Sequence, residues 1–400
     1  MREDKLKPNK PKNINKFLCE SKIHKRQKSQ DFYAKIALLV CKLRITMIVR
    51  IPATSANLGP GFDSLGLALS LYNDFQIKPS ILQSIKIKGE GEGIPKLIKD
   101  NNFIKIFKET CEAIESGEMS DLHKKDSAKD SGDSNKSTKD SQPLSANLKN
   151  TKTTKATNFK INPANPKIAN PQAPKPNFLQ KNFSFYLENR IPISRGLGSS
   201  SAVIVGAIVS AFQMLGAKYT KDMIINRALK YEKHPDNITP AVNGGFNVAM
   251  LKNNRVFYIK TKISSDIKAV VVIPNKPIST RHSRKAIPRQ IALQDTIFNL
   301  SRASMIASIF AQKRWQLLKV VGDDKIHQDL RMGLLPALFS VRKEAMKNGA
   351  LMSVLSGSGS TFLNICYRDD APKIASALAK KFGEFRVLEL EFDNNGISIL

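Results

Sequence analysis

Apolar residues recur along the chain with two different periods, and these periods predict its elements. Phe183, Phe185 and Leu187 alternate with polar positions, the period-2 pattern of a half-buried strand. Residues 202–215 are apolar almost all round, which predicts a buried helix ending at Gly216. Further strands are predicted at 48–51, 67–77, 246–250, 256–259, 269–273, 351–355, 361–367 and 385–392, and further helices from the 100–102 caps to about 115 and at 220–231, 294–321, 336–349 and 372–382. At the C-terminus this order fits a ferredoxin-like sheet with helices on one face.

A Gly/Ser stretch, Ile191–Ala202, joins the Phe183 strand to the buried helix. Gly196 and Gly198 allow a tight turn and close approach of a ligand to the backbone. Three serines follow where the helix begins, and a helix N-terminus carries a partial positive charge. This arrangement favours an anion, most naturally phosphate. By itself, the pattern fits equally well a serine-capped helix after an ordinary glycine turn.

Three further loops carry polar groups. The stretch 52–66 is rich in Gly and Pro but also holds Leu and Phe, so we expect an ordered loop whose Asn57 and Asp63 either orient a substrate or cap turns. Pro235 should end the preceding helix and present residues 232–237 on a loop, which is a site or a solvated turn. The loop 278–288 has two arginines that either clamp an anion or lie on the surface. Another glycine loop, Ser356–Ser360, offers a second close approach to backbone.

Composition then limits the class of protein. The 400 residues allow two packed domains, and no apolar run approaches the ~18 residues of a membrane span. Four scattered cysteines indicate a reduced, cytoplasmic protein without a disulfide frame or zinc site. The net charge of +30 raises the alternative of a nucleic-acid-binding protein, but much of the excess lies in two segments that do not look folded.

Those two segments are residues 1–46 and 116–181. The first is Lys-rich and its apolar run is too short and too late for a secretory signal, so we expect a dispensable tail, with Met47 a candidate start. The second is dominated by Asp, Ser, Asn, Pro and Lys and predicts a disordered insertion without a catalytic role. The remaining chain divides into 47–115 with 182–250, and 251–400.

Other phosphate and nucleophile motifs are excluded. No Gly-Lys-Ser/Thr follows a glycine loop, no GxGxxG opens a Rossmann unit, and there is no Ser nucleophile elbow or metal cluster. Phosphoryl transfer from a nucleotide bound at the helix start remains.

At this point the sequence resembles the GHMP small-molecule kinases. Ile191–Ala202 resembles their phosphate-loop motif Pro-x-x-x-Gly-Leu-Gly-Ser-Ser-Ser/Ala, and Ser356–Thr361 resembles their C-terminal glycine motif, with Ser360 where Pro is common. Within that superfamily, Pro52–Gly66 and Glu232–Asn237 resemble homoserine kinases, in the forms PATSANLGPGFDxLG and E-x-H-P-D-N. The resemblance covers about residues 47–115 and 182–392.

The resemblance implies an α+β GHMP kinase fold: an N-terminal ATP-binding domain like domain 2 of ribosomal protein S5, and a C-terminal ferredoxin-like domain. It implies ATP-dependent phosphorylation of L-homoserine in threonine biosynthesis, with Mg²⁺. The implied ATP-binding residues are Asn102, Pro192, Gly196, Leu197, Gly198, Ser199, Ser200, Ser201 and Ala202. The implied Mg²⁺ ligands are Ser200 and Glu232. The implied substrate-binding residues are Asn57, Asp63, His234, Asp236, Asn237, Thr280, Arg284, Arg331 and Gly357, with Asn237 and Arg284 catalytic.

Asn237 is informative, because some relatives in the superfamily place an Asp there as general base and an amide cannot take a proton. We therefore expect the substrate hydroxyl to be positioned, with its proton passing to the phosphate. The alternatives are a GHMP kinase for another small alcohol, such as mevalonate or a sugar, and the basic nucleic-acid-binding protein. We expect no membrane and no required nucleic acid, and the sequence leaves a homodimer open.

Overall fold

The computed structural model describes residues 47–120, 182–278 and 280–400, whose strands lie in two sheets. The first sheet contains β1 Ile48–Ala56, β2 Leu65–Ser80, β3 Ser84–Gly89, β4 Asn182–Asn189, β5 Phe246–Lys252, β6 Arg255–Thr261 and β11 Ser398–Ile399. The second contains β7 Ile267–Ile273, β8 Met352–Leu355, β9 Phe362–Tyr367 and β10 Arg386–Leu390.

The helices confirm most of the predicted positions. They are α1 Pro95–Lys99, α2 Asn102–Glu115, α3 Ser199–Leu215, α4 Lys221–Ala228, α5 Pro235–Asn243, α6 Thr280–Lys285, α7 Leu293–Gln312, α8 Gln328–Met332, α9 Ala337–Lys347 and α10 Ala371–Lys381. Short 3₁₀ turns lie at Glu118–Ser120, Trp315–Val320 and Arg368–Asp370. None of these helices combines the length and apolarity needed to cross a membrane.

The first sheet is built around β1 and β2, which pair antiparallel along most of their length. Helix α3 packs against both strands and against α2, and eleven of its seventeen residues are buried. Gly206 allows the close contact with the sheet, because a Cβ at this position would lie 2.3 Å from the Phe75 ring. The predicted buried helix is confirmed, and its packing fixes where its N-terminus points.

The second sheet has the order β10-β7-β9-β8, and all its neighbouring strands are antiparallel. Helices including α9 connect β7 to β8, and α10 connects β9 to β10. This is the βαββαβ arrangement of a ferredoxin-like fold, as predicted. Its core is lined by Val270, Val272, Leu338 and Ile374, among others.

The first sheet receives strands from beyond residue 250. The predicted boundary at 250/251 falls inside the β5–β6 hairpin, whose strands both pair in the first sheet. At the other end of the chain, β11 returns to pair with β1. Residues 251–261 and the last strand therefore complete the N-terminal unit.

Three loop predictions were wrong. Residues 52–56 continue β1, because small side chains such as Ala53 and Ala56 fit a fully buried strand, and the loop is confined to 57–64. Residues 235–237 form the first turn of α5, since Pro235 occupies the N1 position where its fixed φ favours a helix. Part of the 278–288 loop is helix α6.

Residues 1–46 and 121–181 lie outside the described part of the chain, and with them the predicted tail and most of the predicted insertion.

Candidate active site

A cavity of about 470 Å³ lies where several segments meet, among them the start of α3, the 57–64 loop, the start of α5 and the glycine loop after β8. Most of the residues singled out from the sequence line it. These are Asn57, Asp63, Asn102, Pro192, Gly196, Gly198, Ser199, Ser200, Ser201, Glu232, His234, Asp236, Asn237, Arg284, Arg331 and Gly357. The structure therefore brings together segments that are separated by up to 300 positions in the sequence.

The first glycine loop approaches its neighbours very closely. Gly196 and Gly198 both have positive φ, +80° and +69°. A Cβ on Gly196 would lie 2.1 Å from the Ser356 carbonyl oxygen, and one on Gly198 would lie 1.9 Å from Thr54 Oγ1. Both positions therefore need glycine for conformation and for space. Gly198 is the N-cap of α3, so the first backbone N–H groups of the helix face the cavity end of the loop.

Two residues of the predicted ATP-binding set do not line the cavity. Leu197 and Ala202 are fully buried in the hydrophobic core. Their side chains anchor the loop and the first turn of α3, and only their backbone could reach a nucleotide.

The second glycine loop is bonded to the first. Ser356 Oγ donates to the Gly196 carbonyl at 2.6 Å and lies 2.8 Å from Ser55 Oγ, while Thr361 N donates to the Arg195 carbonyl. The Gly357 carbonyl accepts from Asn57 Nδ2 at 2.8 Å and from Arg331 Nη1 at 3.0 Å. This loop therefore joins the side of the cavity formed by the first glycine loop to its charged side.

On the charged side, Asp63 and Arg284 form a bidentate ion pair. Arg284 Nη2 lies 2.7 Å from Asp63 Oδ1, and Nη1 lies 3.2 Å from Oδ2. Asp63 has a φ of +55°, and its backbone N–H donates to Asn57 Oδ1. The Phe62 ring lies under both the Arg284 and Arg331 guanidinium groups, with centroid distances of 5.4 and 5.3 Å. Cation–π contact with the same ring keeps both guanidinium groups beside the same pocket.

Arg331 is only 2 % exposed and is held by a histidine. His327 Nε2 lies 2.8 Å from the Gly59 carbonyl, which can only accept, so Nε2 carries the proton. His327 Nδ1 is then free to accept from Arg331 Nη1 at 3.3 Å. Burial lowers the pKa of His327 to about 4 and that of Arg331 to about 10. A neutral imidazole thus connects the 57–64 loop to a buried guanidinium.

Glu232 and His234 form a second charged pair, with His234 Nδ1 2.8 Å from Glu232 Oε1. That hydrogen bond raises the pKa of His234, and the nearby Asp63 carboxylate, 3.9 Å from His234 Nε2, acts in the same direction. Burial opposes ionisation of Glu232, but its contacts with His234 outweigh burial and hold its pKa below the usual range. The pairing therefore favours the charged form of both side chains.

Asp236 is different, because none of the described cationic side chains lies within hydrogen-bond distance of it. It is 3 % exposed, and its Oδ1 has no hydrogen-bond partner among the described residues. Burial, and then the negative charge of Asp63, raise its pKa to about 7. An unpaired buried carboxyl that faces a cavity is a candidate for contact with a polar ligand.

Asn237 accepts a hydrogen bond at Oδ1 from Thr54 Oγ1, at 2.7 Å. Helix α6 begins at Thr280, whose side chain lies outside the described part of the chain.

Thr54, His327 and Ser356 were missed as site residues by the sequence analysis. Each reaches the site through a partner 160 to 268 positions away in the chain. Thr54 lies inside the Pro52–Gly66 stretch that was recognised, so that stretch was the one signal available for it.

Comparison with known proteins supports the resemblance to GHMP kinases. The family model described as "GHMP kinases N terminal domain" matches residues 168–245, and "GHMP kinases C terminal" matches residues 310–384. The chain is 46 % identical over 351 residues to the homoserine kinase of Wolinella succinogenes, covering 88 % of this chain and 99 % of that protein. It is 46 % identical over 359 residues to the homoserine kinase of Helicobacter hepaticus, with the same shares covered.

A solved homoserine kinase from Cytophaga hutchinsonii shares the fold with a TM-score of 0.65 at 20 % identity, covering 89 % of this chain and 97 % of that one. The ferredoxin-like second sheet and the N-terminal sheet with its glycine loop are thus those of the GHMP kinase fold. At this level of identity to curated relatives over nearly their whole length, the chain belongs to the homoserine kinase family of the GHMP kinases.

Proposed function

We propose that the protein transfers the γ-phosphoryl group of ATP to the side-chain hydroxyl of L-homoserine, giving O-phospho-L-homoserine and ADP, the step that commits homoserine to threonine. The observation that carries the proposal is a single cavity that joins a glycine loop at a helix N-terminus to a set of carboxylate and guanidinium groups. The first half suits a nucleotide phosphate, and the second suits the zwitterion of an amino acid.

The nucleotide would lie at the start of α3. Backbone N–H groups at the start of α3, with the hydroxyls of Ser199 and Ser201, would receive the phosphates, and the helix N-terminus favours their charge. Asn102, in the first turn of α2, and Pro192 line the same cavity on the side where the base would extend.

The amino acid would bind by separating the Asp63–Arg284 ion pair. Asp63 would receive the substrate ammonium, and Arg284 and Arg331 would receive its carboxylate. The Asp63–Arg284 pair places both of these charges side by side in the pocket. Asn57, His234, Asp236, Thr280 and Gly357 would complete the pocket.

Two oxygen ligands are available for Mg²⁺. The Ser200 side chain is exposed to the cavity, and Glu232 uses only Oε1 in its contacts with His234. Among the described residues no group of three or more His, Cys, Asp or Glu side chains is placed to hold a metal. A single hydroxyl and a single carboxylate oxygen nevertheless fit Mg²⁺, which keeps waters and phosphate oxygens as its other ligands. Bound there, the ion would neutralise phosphate charge.

Proton transfer would not use a side-chain base. Asn237 lines the cavity and its amide cannot accept a proton. The substrate oxygen would bond to the γ-phosphorus while the bond from that phosphorus to the bridging oxygen breaks and its electron pair leaves with ADP. The hydroxyl proton would pass to a phosphate oxygen. Asn237 would orient the hydroxyl, and Arg284 would offset negative charge.

The test measures ATP-dependent ADP release with L-homoserine, D-homoserine, L-serine and mevalonate, and identifies the product by ³¹P NMR. We expect L-homoserine to give the highest kcat/KM. Two analogues test the zwitterion: 4-hydroxybutanoate lacks the ammonium and 3-aminopropanol lacks the carboxylate. Each leaves one charged group of the pocket without its substrate partner, so we expect kcat/KM at least 100-fold lower for both. Preference for mevalonate, or equal use of 4-hydroxybutanoate, would refute the assignment.

A further inference from the structure

The hydrogen bond between Thr54 and Asn237 lies beside the start of α3, at the point where phosphate and substrate would meet. Thr54 lies on β1 and is fully buried, Asn237 lies in the first turn of α5, and Gly198 is the N-cap of α3. A Cβ on Gly198 would come within 1.9 Å of Thr54 Oγ1 and 3.3 Å of Asn237 Oδ1. Thr54 N also donates to the Leu197 carbonyl at 3.1 Å, which links β1 to the phosphate loop.

The chemistry of the two groups fixes the direction of this bond. A buried hydroxyl needs an acceptor for its proton, and the only acceptor that the described residues offer to Thr54 Oγ1 is Asn237 Oδ1, at 2.7 Å. If the amide were turned over, Nδ2 would donate to the threonine oxygen and the hydroxyl proton would have no acceptor. The threonine therefore donates, and the amide oxygen of Asn237 accepts.

The consequence lies on the other side of the amide. With Oδ1 turned toward Thr54, the Nδ2 group of Asn237 is directed away from β1, and no described residue accepts a hydrogen bond from it. Asn237 lines the cavity, so the two N–H donors of Nδ2 are available to a group bound there. Donors suit an oxygen that is gaining or sharing negative charge in phosphoryl transfer, whereas the amide oxygen would repel it.

We infer that Thr54 is a positioning residue for the phosphoryl transfer: its hydroxyl holds the Asn237 amide with Nδ2 toward the reacting oxygens. This inference rests on the proposed function. It concerns the transition state more than substrate binding, because Thr54 itself does not line the cavity.

The experiment compares Thr54→Val, Thr54→Ala and Thr54→Ser with the parent protein. Valine keeps the shape and removes the hydroxyl, alanine removes both hydroxyl and methyl, and serine keeps the hydroxyl. We expect valine and alanine to lower kcat about tenfold, as for loss of one orienting hydrogen bond, with KM for homoserine and ATP changed less than about threefold. Serine should retain kcat within about twofold.

Two measurements separate positioning from a structural role. Thr110→Val is the matched control, since Thr110 is also fully buried, donates to a backbone carbonyl at 2.7 Å and lies away from the cavity. It should lower thermal stability as Thr54→Val does, but leave kcat unchanged. In an Asn237→Ala background, Thr54→Val should cost no further kcat, because the group through which it acts is gone.

The outcomes discriminate two failures. If the parent chain does not phosphorylate homoserine, the proposed function is refuted. If the parent chain is active and folded Thr54→Val or Thr54→Ala keeps its kcat, or if their effects add fully to Asn237→Ala, the role of Thr54 is refuted. Should valine prevent folding, the alanine and serine variants still decide between these results.

Discussion

At the scale of single residues, the candidate site contains a carboxyl whose ionisation opposes folding. Asp236 is buried with one oxygen unpaired, and its pKa is raised from 3.8 to about 7. A group with a raised folded pKa contributes stability that is fully present below its unfolded pKa and is lost as pH rises through its folded pKa. For Asp236 this window runs from pH 3.8 to about 7.

Replacing Asp236 by Asn should therefore remove a pH-dependent loss of stability. We expect the free energy of unfolding of Asp236→Asn to exceed that of the parent by an amount that grows from about pH 4 to about pH 7, at up to about 1.4 kcal/mol per pH unit. Urea unfolding at several pH values measures it. The exposed Asp369→Asn serves as control, and a constant difference between parent and Asp236→Asn would contradict the raised pKa.

The neighbouring residue, Asn237, tests whether the reaction needs a side-chain base. We expect Asn237→Ala to lower kcat by about 10- to 100-fold without changing the shape of the kcat–pH profile, because an amide contributes orientation and no titrating group. Asn237→Asp should also have a kcat below that of the parent, since a carboxylate beside the transferring phosphoryl group repels the negative charge of that group.

The measurement is kcat against pH for all three proteins, with Asn275→Asp, on an exposed loop, as the charge control. A kcat for Asn237→Asp that rises with ionisation of the new carboxyl to the parent value would show that a base is useful at this position and count against the mechanism.

At the scale of elements, helix α3 begins and ends with a left-handed glycine, which provides a matched pair. Gly198 at its start and Gly216 at its end have φ of +69° and +61°. A Cβ on Gly198 would meet Thr54 Oγ1 at 1.9 Å, whereas one on Gly216 would meet nothing within 4 Å. Both alanine variants incur the left-handed strain of roughly 1 kcal/mol, but only Gly198→Ala displaces the phosphate loop.

We therefore expect Gly198→Ala to raise KM for ATP or lower kcat, with kcat/KM for ATP at least 100-fold reduced, and Gly216→Ala to leave it within about twofold. Steady-state kinetics and thermal melts of both variants provide the comparison. Equal kinetic effects of the two substitutions would mean that the loop tolerates the side chain and that strain alone decides the outcome.

Periodicity predicted most elements because burial on one face imposes it. The apolar stretch of α3, the alternation of β4 and the succession of strands and helices in the second unit are all visible as patterns of apolar residues. The failures came where a local signal has two meanings. Pro235 can end one helix or begin the next, and the Ala53–Ala56 segment has small residues that suit a loop or a fully buried strand.

Side-chain partners could not be predicted in the same way. The sequence resemblance named Asn237, Asp63 and Arg284, but nothing local indicates that Arg284 pairs with Asp63 or that His327 bonds the Gly59 carbonyl. These contacts join residues more than 200 positions apart and depend on how the two sheets meet. The motifs were therefore sufficient to name residues of the site, but not to predict which of them contact each other.

At the scale of the whole molecule, the site depends on both sheets at once. The start of α3 and the 57–64 loop belong to the N-terminal unit, whereas Arg331 and the Ser356–Ser360 loop belong to the second sheet and its flanking helices. Hydrogen bonds from Ser356 to the Gly196 carbonyl and from Asn57 to the Gly357 carbonyl link the two units at the cavity. Because β11 returns to β1, the C-terminal residues also hold the first sheet.

The residues that line the cavity come from both sheets and their helices, and the composition of residues 1–46 and 116–181 predicts segments without a catalytic role. A shortened chain begins at Met47 and replaces residues 121–181 with a Gly/Ser linker of about 15 residues, which can span about 50 Å. We therefore expect it to keep kcat/KM for homoserine within about threefold of the full chain.

The same deletion removes much of the excess of Lys and Arg behind the net charge of +30. Nucleic-acid binding by these segments would fall with salt and vanish in the shortened chain. The measurements are coupled ADP release and filter binding to RNA and duplex DNA, on both the full and the shortened chain. Loss of kinase activity in a folded shortened chain would show that these segments serve the reaction. Retained activity would confine catalysis to the two sheets and the cavity between them.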